Sequence, residues 1–113
     1  MSELTVFTDE NFDYEVMKSD NPVVVFVTAR WCRPGRELAP LVDQAAQETH
    51  GKIKLGNLDA DLERKAVREN RVRSLPTVLL FKSGKLRDVI TGRFTKLQLM
   101  ERISSVLAAD DGG

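Results

Sequence analysis

The one thiol in this sequence, Cys32, stands in the run Trp31-Cys32-Arg33-Pro34-Gly35, between a continuous apolar stretch and a segment with helical spacing. A thiol at the first turn of a helix lies beside unpaired backbone N–H groups and the positive end of the helix dipole, and both favour thiolate over thiol. Arg33 and Arg36 add positive charge on the helix side, and Arg30 stands just before the cysteine. The chemistry such a residue supports is nucleophilic attack by sulfur with formation of a mixed disulfide. A single cysteine cannot close a two-cysteine redox cycle within one molecule. The competing reading is an inert cysteine behind a rim of solvated arginines, and the agreement of helix position with charge favours the reactive one.

Other chemistry-bearing residues form no second constellation. His50 is the only histidine, and a helix length separates it from Cys32, so no Cys–His pair is expected. One cysteine and one histidine without carboxylates at ligand spacing do not make a zinc site, and no metal or cofactor is expected. Asp59 and Asp61 read as polar residues at a strand end. The charged run from Glu63 through Arg73 reads as a solvated helix face, and no glycine-rich phosphate loop is present.

The elements that must position Cys32 follow from periodicity. Residues 4–7 form a strand candidate, and Thr8-Asp9 suits the cap of a helix over 10–18 that Asp20-Asn21-Pro22 ends. Residues 23–27 are apolar and β-branched without a break, as in a central strand buried on both faces. A helix then runs from Cys32 to about residue 50, with Leu38, Leu41, Val42, Ala45 and Ala46 on one face and Gly51 placed to end it. Residues 53–58 alternate as a strand, 62–70 read as a short charged helix, and 77–81 and 86–90 are strands joined across Lys82-Ser83-Gly84-Lys85. Residues 95–107 close the domain as a helix, and 110–113 are a polar tail. Helical crossovers favour parallel pairing early, and the hairpin makes the end antiparallel. An α/β fold is predicted: a mixed sheet of about five strands flanked by about four helices, one domain over residues 1–109.

Composition narrows the partners. The 113 residues suffice for one core, and 42% apolar with 30% charged residues is an ordinary globular balance. Seventeen basic and seventeen acidic side chains cancel, which gives no reason to expect nucleic acid. No apolar stretch is long enough to cross a bilayer, the start lacks a secretory pattern, and a lone cysteine does not suggest an oxidising compartment, so the expected location is cytoplasmic.

Trp31-Cys32-x-Pro34 at a strand-to-helix turn, Leu75-Pro76-Thr77 opening a later strand, Phe81-Lys82-Ser83-Gly84-Lys85, Thr91-Gly92, and Pro40 inside the second helix recur together at matching intervals. In these features the chain resembles the thioredoxin family over nearly its whole length. The resemblance implies a thioredoxin fold, a cis bond before Pro76, and Leu75 offering backbone hydrogen bonds to an extended substrate. It also implies a substrate surface made by Trp31, Pro34, Leu75, Pro76, Gly92 and Arg93. On that template Arg33, Arg73 and Arg93 gather around the thiol. Such a ring would lower the Cys32 pKa and suit an anionic partner, such as glutathione, a related small thiol or an acidic protein segment.

The departures from the family pattern are specific. The second cysteine, three positions after the first, is Gly35; the buried aspartate of the central strand is Phe26, and its usual lysine partner aligns with Asn57. Without a resolving thiol to deprotonate, a buried carboxylate would be only a desolvation cost. The expected function is thiol–disulfide exchange by a monothiol route, with Cys32 as nucleophile, Arg33 and Arg36 stabilising its thiolate, and classical dithiol activity weak or absent. The alternatives are a binding module working through the Leu75-Pro76 groove and a redox sensor capped at Cys32. An exposed lone thiol would also permit a Cys32–Cys32 homodimer.

Overall fold

The computed structural model describes residues 4–49 and 51–109. The readings of His50 and of the tail at 110–113 fall outside that range. The strands are β1 (Thr5–Phe7), β2 (Val23–Thr28), β3 (Lys54–Asp59), β4 (Thr77–Lys82) and β5 (Lys85–Thr91), and the α-helices are α1 (Arg33–Glu48), α2 (Arg64–Glu69) and α3 (Lys96–Ala108). Where the sequence predicted a helix over 10–18, the chain instead makes one π-helical turn, Asp13–Met17. The expected cap at Thr8-Asp9 does not form on this element, whose N-cap is Phe12 without a side-chain hydrogen bond; Thr8 instead closes the turn before it, its Oγ1 accepting from Asn11 N at 3.0 Å while Asn11 Oδ1 accepts from Thr8 N at 2.8 Å. The Asp9 side chain does not join that turn. Its carboxylate accepts from the backbone N–H of Ala66 at 2.8 Å and of Lys65 at 3.3 Å, so it caps α2 instead.

The five strands lie in the order β1-β3-β2-β4-β5, with β1 and β2 parallel to β3, and β4 antiparallel to β2 and β5. Alternation along β2 sends Val24 and Phe26 to one face and Val23, Val25 and Val27 to the other. The first face packs Leu38, Val42, Ala45 and Ala46 of α1 and Leu99, Ile103 and Val106 of α3. The second packs Phe7, Phe12, Val16 and Ala66. Both faces of the central strands are thus buried, which accounts for their unbroken apolar runs.

The hairpin between β4 and β5 turns on Ser83 and Gly84, with φ of +54° and +74°, the pair of left-handed residues that a two-residue turn needs. α3 opens with a reciprocal cap: Gln98 N donates to Thr95 Oγ1 at 3.1 Å, and Thr95 N donates to Gln98 Oε1 at 2.8 Å.

Candidate active site

Register brings four chain segments to one end of the sheet. Thr28, the last residue of β2, pairs with Asp59, the last of β3, and the preceding Val27 pairs with Thr77, the first of β4. Thr77 in turn pairs with Thr91, the last of β5. The turns that follow or precede these residues carry Trp31 and Cys32, Asp61, Leu75 and Pro76, and Gly92 and Arg93.

Cys32 is the N-cap residue of α1, in extended conformation, and its side chain caps none of the helix N–H groups. Its carbonyl accepts from Arg36 N at 3.1 Å and its own N–H donates to Ala29 O at 3.0 Å. Pro34 occupies the first turn, where its fixed φ suits the helix and its missing N–H costs nothing. The thiol is free, and the residue is only 4% exposed. Cys32 is thus buried, where the allowance for a Cys32–Cys32 homodimer took the thiol to be exposed.

The Leu75–Pro76 peptide bond is cis. Pro76 is buried and Leu75 half-buried. Pro76 O accepts from Gly92 N at 3.0 Å, which fastens the loop after β5 to the cis turn, and Gly92 takes a φ of +77° that only glycine adopts readily. Trp31 is 66% exposed, so it does not serve as core packing. Its indole Nε1–H donates to Asp61 Oδ2 at 3.0 Å, giving Asp61 a role beyond a plain strand end.

The arginines do not form the free cationic ring expected around the thiol. Glu37 sits between two of them: Arg33 Nε lies 3.3 Å from one carboxylate oxygen, and Arg93 Nη1 hydrogen-bonds the other. The Arg93 hydrogen bond and charge hold the Glu37 carboxyl below the usual range, with Arg33 adding less. Arg36 directs its guanidinium to the Arg30 carbonyl. Arg73 is exposed and has no ion pair among the described residues. Glu37 was detectable in principle, because Arg33 and Glu37 stand four apart on one helix. Nothing in the local sequence pointed from Glu37 to Arg93. No three His, Cys, Asp or Glu side chains converge as metal ligands among the described residues.

The thioredoxin family profile matches residues 3–105. Thioredoxin 1 of Nostoc sp. is 37% identical over 107 residues, covering 95% of this chain and 100% of that protein. The thioredoxin of Rickettsia bellii is 37% identical over 87% of this chain and 93% of its own length. The chloroplastic M-type thioredoxin of Pisum sativum is 36% identical over 95% of this chain, which spans 62% of the pea protein. The chain belongs to the thioredoxin family.

Against the thioredoxin pattern, the substituted positions are physically coupled here. Gly35 is buried in the first turn of α1, and a Cβ added to it would lie 1.8 Å from Thr28 Oγ1, 2.9 Å from Thr28 Cβ and 3.4 Å from Cys32 Sγ. The Thr28 side chain therefore fills the space a resolving cysteine would enter. Its hydroxyl is buried without a hydrogen-bond partner among the described residues. Phe26 and Asn57, the other two departures, are direct partners in the β2–β3 register. Phe26 is fully buried, with its ring edge-on to Phe94 at 6.4 Å, so this interior is apolar where thioredoxins place a carboxylate. A cleft of about 330 Å³ opens between β2, β3 and α1, lined by Phe26, Thr28, Gly35, Ala39 and Asn57 among others.

Proposed function

We propose that this thioredoxin-family chain exchanges disulfides through Cys32 alone. The observation that carries this reading is Gly35 packed against Thr28, three residues after a single thiol set at a helix start. In the first step the Cys32 thiolate attacks one sulfur of a partner disulfide; that bond breaks, the Cys32–partner bond forms, and the partner's second sulfur leaves as thiolate. An external thiolate then attacks Cys32 sulfur, releasing the reduced partner and leaving Cys32 capped. A second external thiolate attacks the capping sulfur and frees Cys32. Two external thiols become one disulfide, so electrons and protons balance. Glutathione or a similar small thiol fits the external role, and a reducing compartment such as the cytoplasm suits a thiol that must stay free.

Leu75 and Pro76 bind extended substrate backbone, flanked by Trp31, Pro34, Gly92 and Arg93. The test is reduction of a protein disulfide with glutathione as the only other thiol, by the native chain and by Cys32→Ser. Catalysis lost in the variant and intermediates trapped on Cys32 support the mechanism. Equal rates for the two proteins overturn it.

The burial of Cys32 beside an exposed Trp31 favours a second reading, in which the groove recognises a partner without sulfur chemistry. Partner binding that survives Cys32→Ser together with absence of any mixed disulfide identifies that case.

A further inference from the structure

Residues 64–73 carry Arg64, Lys65, Arg68, Arg71 and Arg73 against one carboxylate, Glu69. All five cations are exposed, and none has an ion-pair partner among the described residues. The acids at the start of α2 are engaged by backbone N–H groups: Glu63 accepts from Asp9 N at 2.8 Å, Asp9 holds the N–H groups of Lys65 and Ala66, and Asp59 holds those of Asp61 and Leu62. On a chain with no net charge this stretch is a local cationic excess, and it directly precedes Leu75 and Pro76.

Within it lies a groove of about 450 Å³. Ala60, Val67 and Val72 supply its apolar lining, Arg64 and Arg68 its cations, and Asp61 stands where the groove meets the Trp31 indole. The groove and the cis-Pro turn are thus linked by three residues of chain, Arg73, Ser74 and Leu75. An extended segment held at Leu75 has this groove beside it.

We infer that the groove between Arg64 and Arg68 receives an acidic segment of the disulfide-bearing partner, next to the cysteine that Cys32 attacks. This rests on the exchange reading above and adds the chemical class of the partner. Charge complementarity of this kind acts chiefly on encounter rate and selection of partner. An apolar floor with one pair of cations suits alternating acidic and apolar residues better than a uniform polyanion. The zero net charge of the chain also disfavours long-range attraction to nucleic acid.

The test uses the native chain labelled with ¹⁵N and a cysteine-free peptide, acetyl-Glu-Leu-Glu-Leu-Glu-amide, at low salt. Saturable shifts at residues 60–72 and at the Trp31 indole N–H are expected. Arg64→Glu with Arg68→Glu should weaken binding about tenfold, while Lys85→Glu on the distant hairpin leaves it unchanged. Shifts spread over all basic surfaces, or undiminished binding by the double variant, overturn the inference. So does tighter binding of a single-stranded oligonucleotide of equal charge at the same residues. Because the peptide has no sulfur, binding is read independently of exchange: failure of the mechanism shows in the Cys32→Ser comparison, and failure of the acidic groove shows here.

Discussion

The hydroxyl oxygen of Thr28 stands 1.8 Å from the point where a side chain on Gly35 would have to begin. Alanine at a helical glycine ordinarily gains about 1 kcal/mol, but overlap with a packed neighbour costs about 1–3 kcal/mol. Gly35→Ala is therefore expected to lower stability by about 1 kcal/mol. In Thr28→Ala the closest contact is gone, so the double variant should be more stable than the sum of the two single changes. Urea unfolding of all four proteins measures this coupling, and strict additivity would contradict the steric account. By the same argument Gly35→Cys forms a disulfide with Cys32 efficiently only when Thr28 is also made smaller.

Glu37 joins Arg33 and Arg93 across the mouth of the site, and its removal should leave both cations unneutralised. Glu37→Gln is expected to speed the reaction of Cys32 with oxidised glutathione, an anionic disulfide, by about threefold at low ionic strength. A neutral disulfide should show no change, and salt should abolish the difference. The pH dependence has a definite sign. The Glu37 carboxyl is held below its ordinary value, so it stays ionised until the pH falls through that lowered value. Only there should the native chain come to react like the variant. Stopped-flow rates at several pH values check both statements.

α2 has six residues and buries only Ala66, so it depends on Asp9 for its first turn. Asp9→Ala should cost about 1–2 kcal/mol and should show first as faster hydrogen exchange in α2, with the central strands protected as before. Uniform loss of protection across the sheet would mean that α2 is not a separately opening unit.

Arg102 of α3 hydrogen-bonds Asp88 of β5, with Nη2 2.8 Å from Oδ1. That bond holds the Asp88 carboxyl low, against the opposing effect of burial, and the Val89 N–H adds to it. A lowered carboxylate contributes stability in full above its unfolded pKa and loses it as the pH falls through the folded value. Arg102→Gln should therefore cost about 0.5–1 kcal/mol at neutral pH and less once Asp88 is protonated in both proteins, when only the Arg102 bond to Val89 O separates them. Thermal melts across the acid range test this convergence.

Much of this architecture was legible because it is local. The β-branched run at 23–27, the apolar face of α1, the Ser83-Gly84 turn and the Trp31–Pro34 signature each announce themselves within a few residues. The cis bond before Pro76 followed from family resemblance. What stayed hidden was set by side chains meeting from distant parts of the chain. Asp9 reads as a local cap and serves a helix that begins 55 residues later. Glu37 balances an arginine 56 positions away, a pairing that no local pattern shows. The helix read over 10–18 is replaced by a single π-helical turn whose buried residue, Val16, joins the second core.

The interlock of Thr28 with Gly35 also bears on how such a chain changes over generations. A lone Gly35→Cys step regains a thiol at the cost of an overlap, and a lone reduction of Thr28 brings no second sulfur. Neither step alone places a second sulfur beside Cys32 without overlap, so a two-cysteine site here needs both changes. The Thr28 side chain acts there like a ratchet tooth rather than an open switch: it holds the position to glycine until it is itself made smaller.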